Sequence, residues 1–541
     1  MKVHQAIAKA LVANEVDVIF GLMGDANMFM VDSYIRDCGG TFVPSANEAG
    51  AILMALGYAL TSGKPGICSV THGPALTNTL TGLIEGVRGR VPAVLICGDT
   101  PLSNREHLQD VAQREVALVA GAGFEQMRSP ATVAEDVARS LARAERERRP
   151  ILLNVPVEFD WQEAADFEPV RAYIPERRAI VSESSDIDNA IGIIASARRP
   201  LIVAGRGAVS PEARAALVRL GERTGAPLAT TLKGKDLFEG EAFNLGICGT
   251  LSHAGATETI MEADCLIAFG ASLNKYTTAL GGFLKGKRVI QVNQEIEEVG
   301  KNISVDAGLV GDAAQVADLI RRWLDEAEIP SSQWRGEEIL ERIERDRAMA
   351  PSDLGDEDGA VDFVGALDRL EGALPQDRLL VTDSGRFMLE LFKRVRVPDP
   401  QSLVVTHNFG SIGLGVSHAV GACFGAKGRP VVAFCGDGGF MNGGLAEFNT
   451  AVRAGVDLIV IVMNDGAYGA EHYKFTEKQM DWTNISYDWP DFAKVAVSLG
   501  GDGLRLASER DWPAVATAIA QRSRPLLIDV KINPNKVPCE F

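Results

Sequence analysis

The chain is 541 residues long, room for two to four domains with full cores, and its 46% hydrophobic and 23% charged content is that of an ordinary globular protein. Against 54 Lys and Arg stand 72 Asp and Glu, a formal net charge of −18 that speaks against a general nucleic-acid binder or membrane-surface protein, although a local pocket can still be basic. No apolar run reaches the ~18 residues of a membrane span, the first residues lack a secretory signal core, and eight scattered cysteines (Cys38, Cys68, Cys97, Cys248, Cys265, Cys423, Cys435, Cys539) make no CxxC pair or zinc spacing, so free thiols in a reducing cytoplasm are expected.

Short Val/Ile/Leu runs then alternate with helical periodicity along the chain. VDVIFGL, TFVP (leading into a helix near Glu48), GICSV, AVLICG and ILLNVP read as strands in the first third. PLIVAG, CLIAFG and RVIQVN do so in the middle, and LLVTDSG, VVAFCGDG, LIVIVMND and PLLIDV in the last third. Such runs between helices predict an α/β chain of three doubly wound parallel-sheet domains, spanning 1–175, 185–335 and 358–541. The polar, proline-bearing stretch 160–190 and the charged stretch 330–360 read as linkers. The first and last thirds share a similar strand–helix rhythm.

The densest signal is VVAFCGDGGFMNGGLAEFNTAVRAGVDLIVIVMNDGAYG. It predicts a strand over 431–435, a Gly436-Asp437-Gly438-Gly439 turn, a helix from about 441 to 454, a strand over 458–463, and then Asn464-Asp465-Gly466. A right-handed βαβ unit puts Asp437 and Asn464 at the carboxyl ends of parallel strands, where α/β sheets bind ligands. The glycines let backbone amides approach a phosphate at a helix N-terminus, and Asp, Asn and carbonyl oxygens suit Mg²⁺. Each half alone is an ordinary turn; together, at this spacing, they are a site.

This GDGG…NDG pattern resembles the thiamine-diphosphate-dependent family that contains acetolactate synthase, benzoylformate decarboxylase, pyruvate decarboxylase and benzaldehyde lyase, and the resemblance spans essentially the full chain. It implies pyrimidine-binding, middle and diphosphate-binding domains in that order. It implies that Asp437, Asn464 and the Gly466 carbonyl hold Mg²⁺. The diphosphate contacts would come from Gly436, Gly438, Gly439 and the Asp383-Ser384-Gly385 turn, with Ala467 and Tyr468 alongside. In His407-Asn408-Phe409-Gly410-Ser411-Ile412-Gly413, Gly410 would accept from the cofactor's 4′-amino group and Ile412 would wedge beneath it; by itself Ile412 reads as core packing. Glu48, by itself a first-turn partner of the helix dipole, is implied to hydrogen-bond N1′ of the aminopyrimidine. Burial among Ala46, Ala49, Ala51 and Ile52 would raise its pKa so that it shares that proton.

For the substrate pocket the resemblance implies Asp25, after a Gly21-Leu22-Met23-Gly24 turn in which Met23 replaces the family's proline. It also implies His72, placed like the active-site histidine of benzoylformate decarboxylase and able to protonate a developing alkoxide; otherwise His72 is a loop histidine bonded to backbone. Gln109 resembles the pocket glutamine of benzaldehyde lyase, or is a helix-surface amide. The paired histidines of pyruvate decarboxylases are absent. Glu471 and His472, after Tyr468, read as acid–base groups or as solvated surface, and the tail from Lys531 onward is expected to close over the site. The Gly205-Arg206-Gly207-Ala208 turn is a weak nucleotide signal. Relatives hold FAD or ADP there, but FNLGICGTLSHAGA departs from the FAD wording, so a structural middle domain is the expectation and FAD the lesser alternative.

The reading is a ThDP- and Mg²⁺-dependent enzyme that cleaves or forms a C–C bond beside a carbonyl: a 2-oxo acid decarboxylase or carboligase on a small 2-oxo acid or aldehyde. The alternative is a 2-hydroxyacyl or benzoin-type lyase. From other classes come a catalytically silent scaffold, opposed by the joint retention of Glu48, Asp437 and Asn464, and an NAD-linked oxidoreductase, which lacks a GxGxxG after the first strand. The family implies a homodimer or homotetramer with shared active sites, and no nucleic-acid or membrane partner.

Overall fold

Strongly apolar runs bounded by glycine or polar residues become the inner strands of three parallel six-stranded sheets in a computed structural model, described for residues 1–101, 103–104, 106–174, 184–348, 352–355 and 359–538. The first sheet holds β1 (Val18–Gly21), β2 (Thr41–Pro44), β3 (Gly66–Val70), β4 (Ala93–Asp99), β5 (Gly123–Gln126) and β6 (Pro150–Pro156), in the order β2-β1-β3-β4-β6-β5. The second holds β7 (Pro200–Ala204), β8 (Leu228–Thr230), β9 (Asn244–Ile247), β10 (Cys265–Phe269), β11 (Arg288–Asn293) and β12 (Ala307–Val310), in the order β12-β11-β10-β7-β8-β9. The third holds β13 (Leu379–Thr382), β14 (Leu403–Val405), β15 (Val431–Gly436), β16 (Leu458–Asn464), β17 (Asp502–Leu506) and β18 (Leu526–Lys531), in the order β14-β13-β15-β16-β18-β17. Counted from its own first strand, the third sheet repeats the order of the first, which accounts for the shared rhythm of those two thirds.

These two sheets fall in one compact unit, Met1–Pro175 with Asp353–Met388 and Val404–Val537; the second sheet lies in another, Glu176–Ser352 with Leu389–Leu403. Inside the first unit the halves share one apolar core, centred on helix Glu48–Ser62 lying against helix Gly415–Gly425. Both helices are apolar on nearly every face, so each must be covered all round. Glycines bring their backbones into contact: a Cβ on Gly57 would stand 2.0 Å from the His418 carbonyl oxygen, and one on Gly421 1.8 Å from that of Met54.

In the second unit, the glycines of the Gly205–Ala208 turn are spoken for by packing. A Cβ on Gly205 or Gly207 would run into the Gly270 backbone at 2.4 or 2.8 Å, so the turn after β7 is glycine-bearing to let the turn after β10 close on it. Parts of the two expected linkers, residues 175–183, 349–351 and 356–358, lie outside the described residues, as does Cys539. The other seven cysteines are free thiols, five of them buried. Among the described residues no helix is long and apolar enough to cross a membrane.

The helix expected from about 441 starts earlier. Helical backbone begins at Asp437, passes through a wide π turn over Phe440–Gly444, and continues as Leu445–Ala454. The widening lets the 407–413 loop pass close by, for a Cβ on Gly443 would meet the Gly413 carbonyl oxygen at 2.2 Å.

Candidate active site

The tips of β15 and β16 carry Asp437 and Asn464 side by side, because these strands pair in parallel up to Gly436 opposite Met463. Asp437 is 2% exposed and Asn464 1%. The Asp437 carboxylate accepts from its neighbour Gly438 N–H and from Gly466 N–H, both at 2.7 Å. Gly466 needs a φ of +68° to turn that amide inward. Burial, followed by the charge of Asp465, pushes the Asp437 carboxyl up to about 7. Asp465 is itself tied to Arg386 at 3.0 Å. Asn464 donates from Nδ2 to Asp529 Oδ1 at 2.7 Å, which aims its Oδ1 the other way; there it accepts from Lys531 Nζ at 2.8 Å.

Buried anionic oxygens crowded in this way are the surroundings a bound cation relieves. One carboxylate, one amide oxygen and the Gly466 carbonyl fit a hard octahedral ion that fills its other positions with phosphate and water. The Gly466 oxygen already accepts from Tyr487 N–H at 2.7 Å, leaving one lone pair. Among the described residues no group of three or more His, Cys, Asp or Glu offers an alternative metal site. Gly438 and Gly439 stand at the start of the helix with their Cβ positions closed, by the Tyr468 ring at 2.3 Å and by Asp383 Oδ2 at 2.5 Å. Tyr468 is held in turn against Tyr487, ring centroids 5.1 Å apart.

The Asp383 carboxylate is filled by backbone amides: Oδ1 accepts from Ser384 and Leu414 N–H at 2.8 and 3.2 Å, and Oδ2 from Gly413 N–H at 2.9 Å. Burial pushes it up to about 6. It anchors the loop that carries Gly410 and Ile412. Ile412 is only half-buried and stands outside the hydrophobic core, and Gly410, at φ +83°, is exposed. Ser384 bonds His407 Nδ1 at 2.6 Å.

In the N-terminal half, Asn47 caps helix Glu48–Ser62 by accepting from Gly50 N–H at 2.7 Å, which fixes where Glu48 emerges. The expected burial of Glu48 is not met within one chain: it is half-buried, and its Oε2 accepts from Asn78 Nδ2 at 3.0 Å. His72 follows the tip of β3 and is 1% exposed. Its Nδ1 lies 3.3 Å from Thr71 Oγ1, its Nε2 makes no hydrogen bond among the described residues, and burial lowers its pKa. Thr71 in turn donates to Asp25 Oδ1 at 2.7 Å, the largest of the effects that hold Asp25 below the usual carboxylate range. Gln109 lies over Gly73, whose φ of +61° and closeness to the Gln109 carbonyl exclude a side chain.

The structure thus gathers Asp25, His72 and Gln109 in one cluster, places Glu48 with Asn78, and forms a second cluster of Asp437, Asn464, Gly466 and Tyr468. Among the described residues no hydrogen bond or ion pair joins Glu48 to the second cluster. His107, two residues before Gln109, stands with its ring 5.0 Å from that of His72; this is a histidine pair made across 35 residues of chain and so invisible as a dipeptide. The contacts of Asn78, Asp529, Lys531 and Arg386 at these clusters emerge only with the fold. Glu471 is exposed beside Lys474, whereas His472 is buried against Trp482, and among the described residues neither of its ring nitrogens is bonded. In the tail, the Pro534 carbonyl accepts from Arg386 at 2.9 Å.

Three family models match in chain order. The N-terminal TPP binding domain of thiamine pyrophosphate enzymes covers residues 1–120, their central domain 187–320 and their C-terminal TPP binding domain 383–530. The chain is 26% identical to a sulfoacetaldehyde acetyltransferase of Castellaniella defragrans, over 96% of this chain and 90% of that protein. It is 26% identical to a probable acetolactate synthase large subunit of Methanocaldococcus jannaschii, over 99% and 92%. It is 28% identical to an acetolactate synthase large subunit of Parasynechococcus marenigrum, over 97% and 87%.

Proposed function

We propose that this chain, which belongs to the thiamine pyrophosphate enzymes and is a thiamine-diphosphate-dependent enzyme, uses Mg²⁺ and that cofactor to decarboxylate a small 2-oxo acid and to join the remaining acyl unit to a second carbonyl compound. The observation that carries this reading is the pair of buried oxygens on Asp437 and Asn464 at neighbouring strand tips, beside glycine amides that open a helix. The relatives' names, one a synthase of acetolactate and the other an acetyltransferase, favour joining over simple release of an aldehyde.

Thiamine diphosphate supplies, when bound, a nucleophilic carbon and an electron sink for the bond beside the substrate carbonyl. The chain does the rest. Asp437, Asn464 and the Gly466 carbonyl would hold Mg²⁺, and the Gly438 and Gly439 amides would meet the diphosphate. Glu48 would keep a proton at N1′ of the aminopyrimidine, its carboxylate aimed by Asn78. His72, kept neutral by burial, would hold or move a proton at the substrate oxygen through its unpartnered Nε2, with the Asp25–Thr71 pair fixing its other nitrogen. His72→Ala is then expected to lower kcat by about 10²-fold with the cofactor still bound, as steady-state kinetics beside a cofactor titration will read; an unchanged kcat removes His72 from the reaction.

The site would be shared between two copies of the chain. Glu48 is half-buried, and Leu108, next to Gln109, is 100% exposed, so both wait for a covering surface. Turnover per chain should fall on dilution in step with dissociation seen by sedimentation; a fully active monomer would refute this. The substrate test is a panel of pyruvate, benzoylformate and longer 2-oxo acids, scoring CO₂ and product. CO₂ with a 2-hydroxy ketone or acetohydroxy acid supports the proposal, and cleavage of 2-hydroxyacyl compounds without CO₂ replaces it with the lyase alternative.

A further inference from the structure

Two buried carboxylates outside the clusters described above tie the halves of the first unit together in a reciprocal way. Glu447 is 0% exposed and lies on helix Leu445–Ala454, between β15 and β16. It reaches the turn after β2: Ala46 N–H donates to Oε1 and Oε2, both at 3.2 Å, and Asn47 N–H to Oε1 at 3.3 Å. Thr450 Oγ1 donates to Oε2 at 2.7 Å, and Arg453 Nη2 donates to the Pro44 carbonyl at 2.9 Å. Glu85 is 1% exposed and lies on helix Leu80–Gly89, between β3 and β4. It reaches the turn after β14: Asn408 donates to Oε1 from its backbone N at 3.1 Å and from Nδ2 at 2.6 Å, and Phe409 N–H donates to Oε2 at 2.7 Å.

The two arrangements are the same device used twice. In the strand order shared by the first and third sheets, each glutamate sits on the helix between the third and fourth strands, and each held turn follows the second strand. Each carboxylate crosses to the opposite half. Fully buried carboxylates persist only when their lone pairs are filled, and here backbone N–H groups fill them, so the glutamate dictates where the loop backbone lies. The route is cleared for it: a Cβ on Gly50 would stand 2.0 Å from Glu447 Oε1. The held amides are not arbitrary. Ala46 and Asn47 immediately precede Glu48, and Asn408 and Phe409 immediately precede Gly410.

We propose that Glu447 and Glu85 are a reciprocal pair of positioning residues, Glu447 setting the Glu48 carboxylate and Glu85 setting the Gly410–Ile412 segment; this rests on the reading of Glu48 and of that loop as aminopyrimidine contacts. Neither glutamate touches the reacting atoms. Each works through a loop, so its loss shows first as local loosening and then as a defect confined to that loop's task.

The test has two stages. In cofactor-free protein, Glu447→Gln should raise amide hydrogen exchange at Ala46 and Asn47 by about 10-fold or more, leaving Asn408 and Phe409 protected, and Glu85→Gln should do the converse. With thiamine diphosphate bound, Glu447→Gln should slow exchange of the cofactor's C2 proton by about 10-fold with cofactor Kd within about threefold, whereas Glu85→Gln should weaken cofactor affinity. If Glu447→Gln does not fold, Glu447→Asp, which keeps the charge and withdraws it by one methylene, takes its place. Unchanged amides, loosening spread over the whole unit, or loosened amides with unaltered C2 exchange would each overturn the proposal. Glu48→Gln serves as control: if its C2 exchange persists, the Glu48 reading has failed, while the amide pattern still decides whether the clamps exist.

Discussion

Glu48→Gln is expected to fold as the parent does, to bind thiamine diphosphate within a few-fold of parental affinity, and to lose turnover by about 10²–10⁴-fold. The substitution keeps shape and removes one ionisable oxygen. The amide oxygen of Gln can still accept from Asn78 Nδ2, and helix Glu48–Ser62 keeps its Asn47 cap. The lost attraction between a first-turn carboxylate and the helix dipole is worth only ~0.3–1 kcal/mol. That is little for a helix whose buried glycines lock it against Gly415–Gly425. Cofactor affinity would come mainly from the strand tips around Asp437, which Glu48 does not touch. What would go, on the proposed reading, is the capacity to keep a proton at the aminopyrimidine, and an amide cannot replace it. The measurement is kcat together with a fluorescence titration of the cofactor. Turnover within threefold of the parent would remove Glu48 from the mechanism, and a parallel collapse of affinity would make it a binding residue instead.

The contrast between what was readable and what was not follows chain distance. Asp437, Asn464 and the strands behind them lie within one βαβ unit, and both flanking strands are apolar along nearly their whole length, so local pattern placed them. The strands that went unread, β5, β8, β9, β12, β14 and β17, are three to five residues long and sit at or next to sheet edges. At the edges one side lacks a neighbour, and sequences such as GFEQ and DGLRL keep too few apolar residues to show a period. Glu447 and Glu85 were illegible for another reason. Their amide partners lie about 400 and 323 residues away, and a glutamate on an amphipathic helix reads as surface until the opposite half is laid over it. The aim of the Asp383 carboxylate was illegible as well, because three amides from 384, 413 and 414, two of them about 30 residues away, decide its direction. Glu48 stays half-exposed because its side chain meets Asn78 and then solvent.

Asp437→Asn is expected to move stability and function in opposite directions. In metal-free protein the Asp437 carboxyl is raised to about 7 from an ordinary 3.8. A group raised on folding binds its proton more tightly in the native state. Its stabilising contribution is therefore complete below pH ~4 and is lost as pH climbs through ~7. Asn escapes that penalty but turns an N–H toward one of the Gly438 and Gly466 amides, at a cost of about 1–3 kcal/mol that offsets part of the gain. The metal-free variant should therefore melt above the parent at pH 8, with the difference shrinking toward pH 5. Saturating Mg²⁺ and thiamine diphosphate should reverse the order, because ligand at 100 times its Kd adds about 2.7 kcal/mol to a protein that binds it, and the variant lacks the one anionic group proposed to hold the ion. Its Mg²⁺ requirement should rise by more than the roughly 10–100-fold that loss of an outer-shell partner costs. Melting curves at pH 5 and 8, with and without both ligands, read all four states. If the metal-free variant is no more stable than the parent at pH 8, the carboxylate is not under the strain its burial implies. If Mg²⁺ stabilises both proteins equally, the ion binds elsewhere.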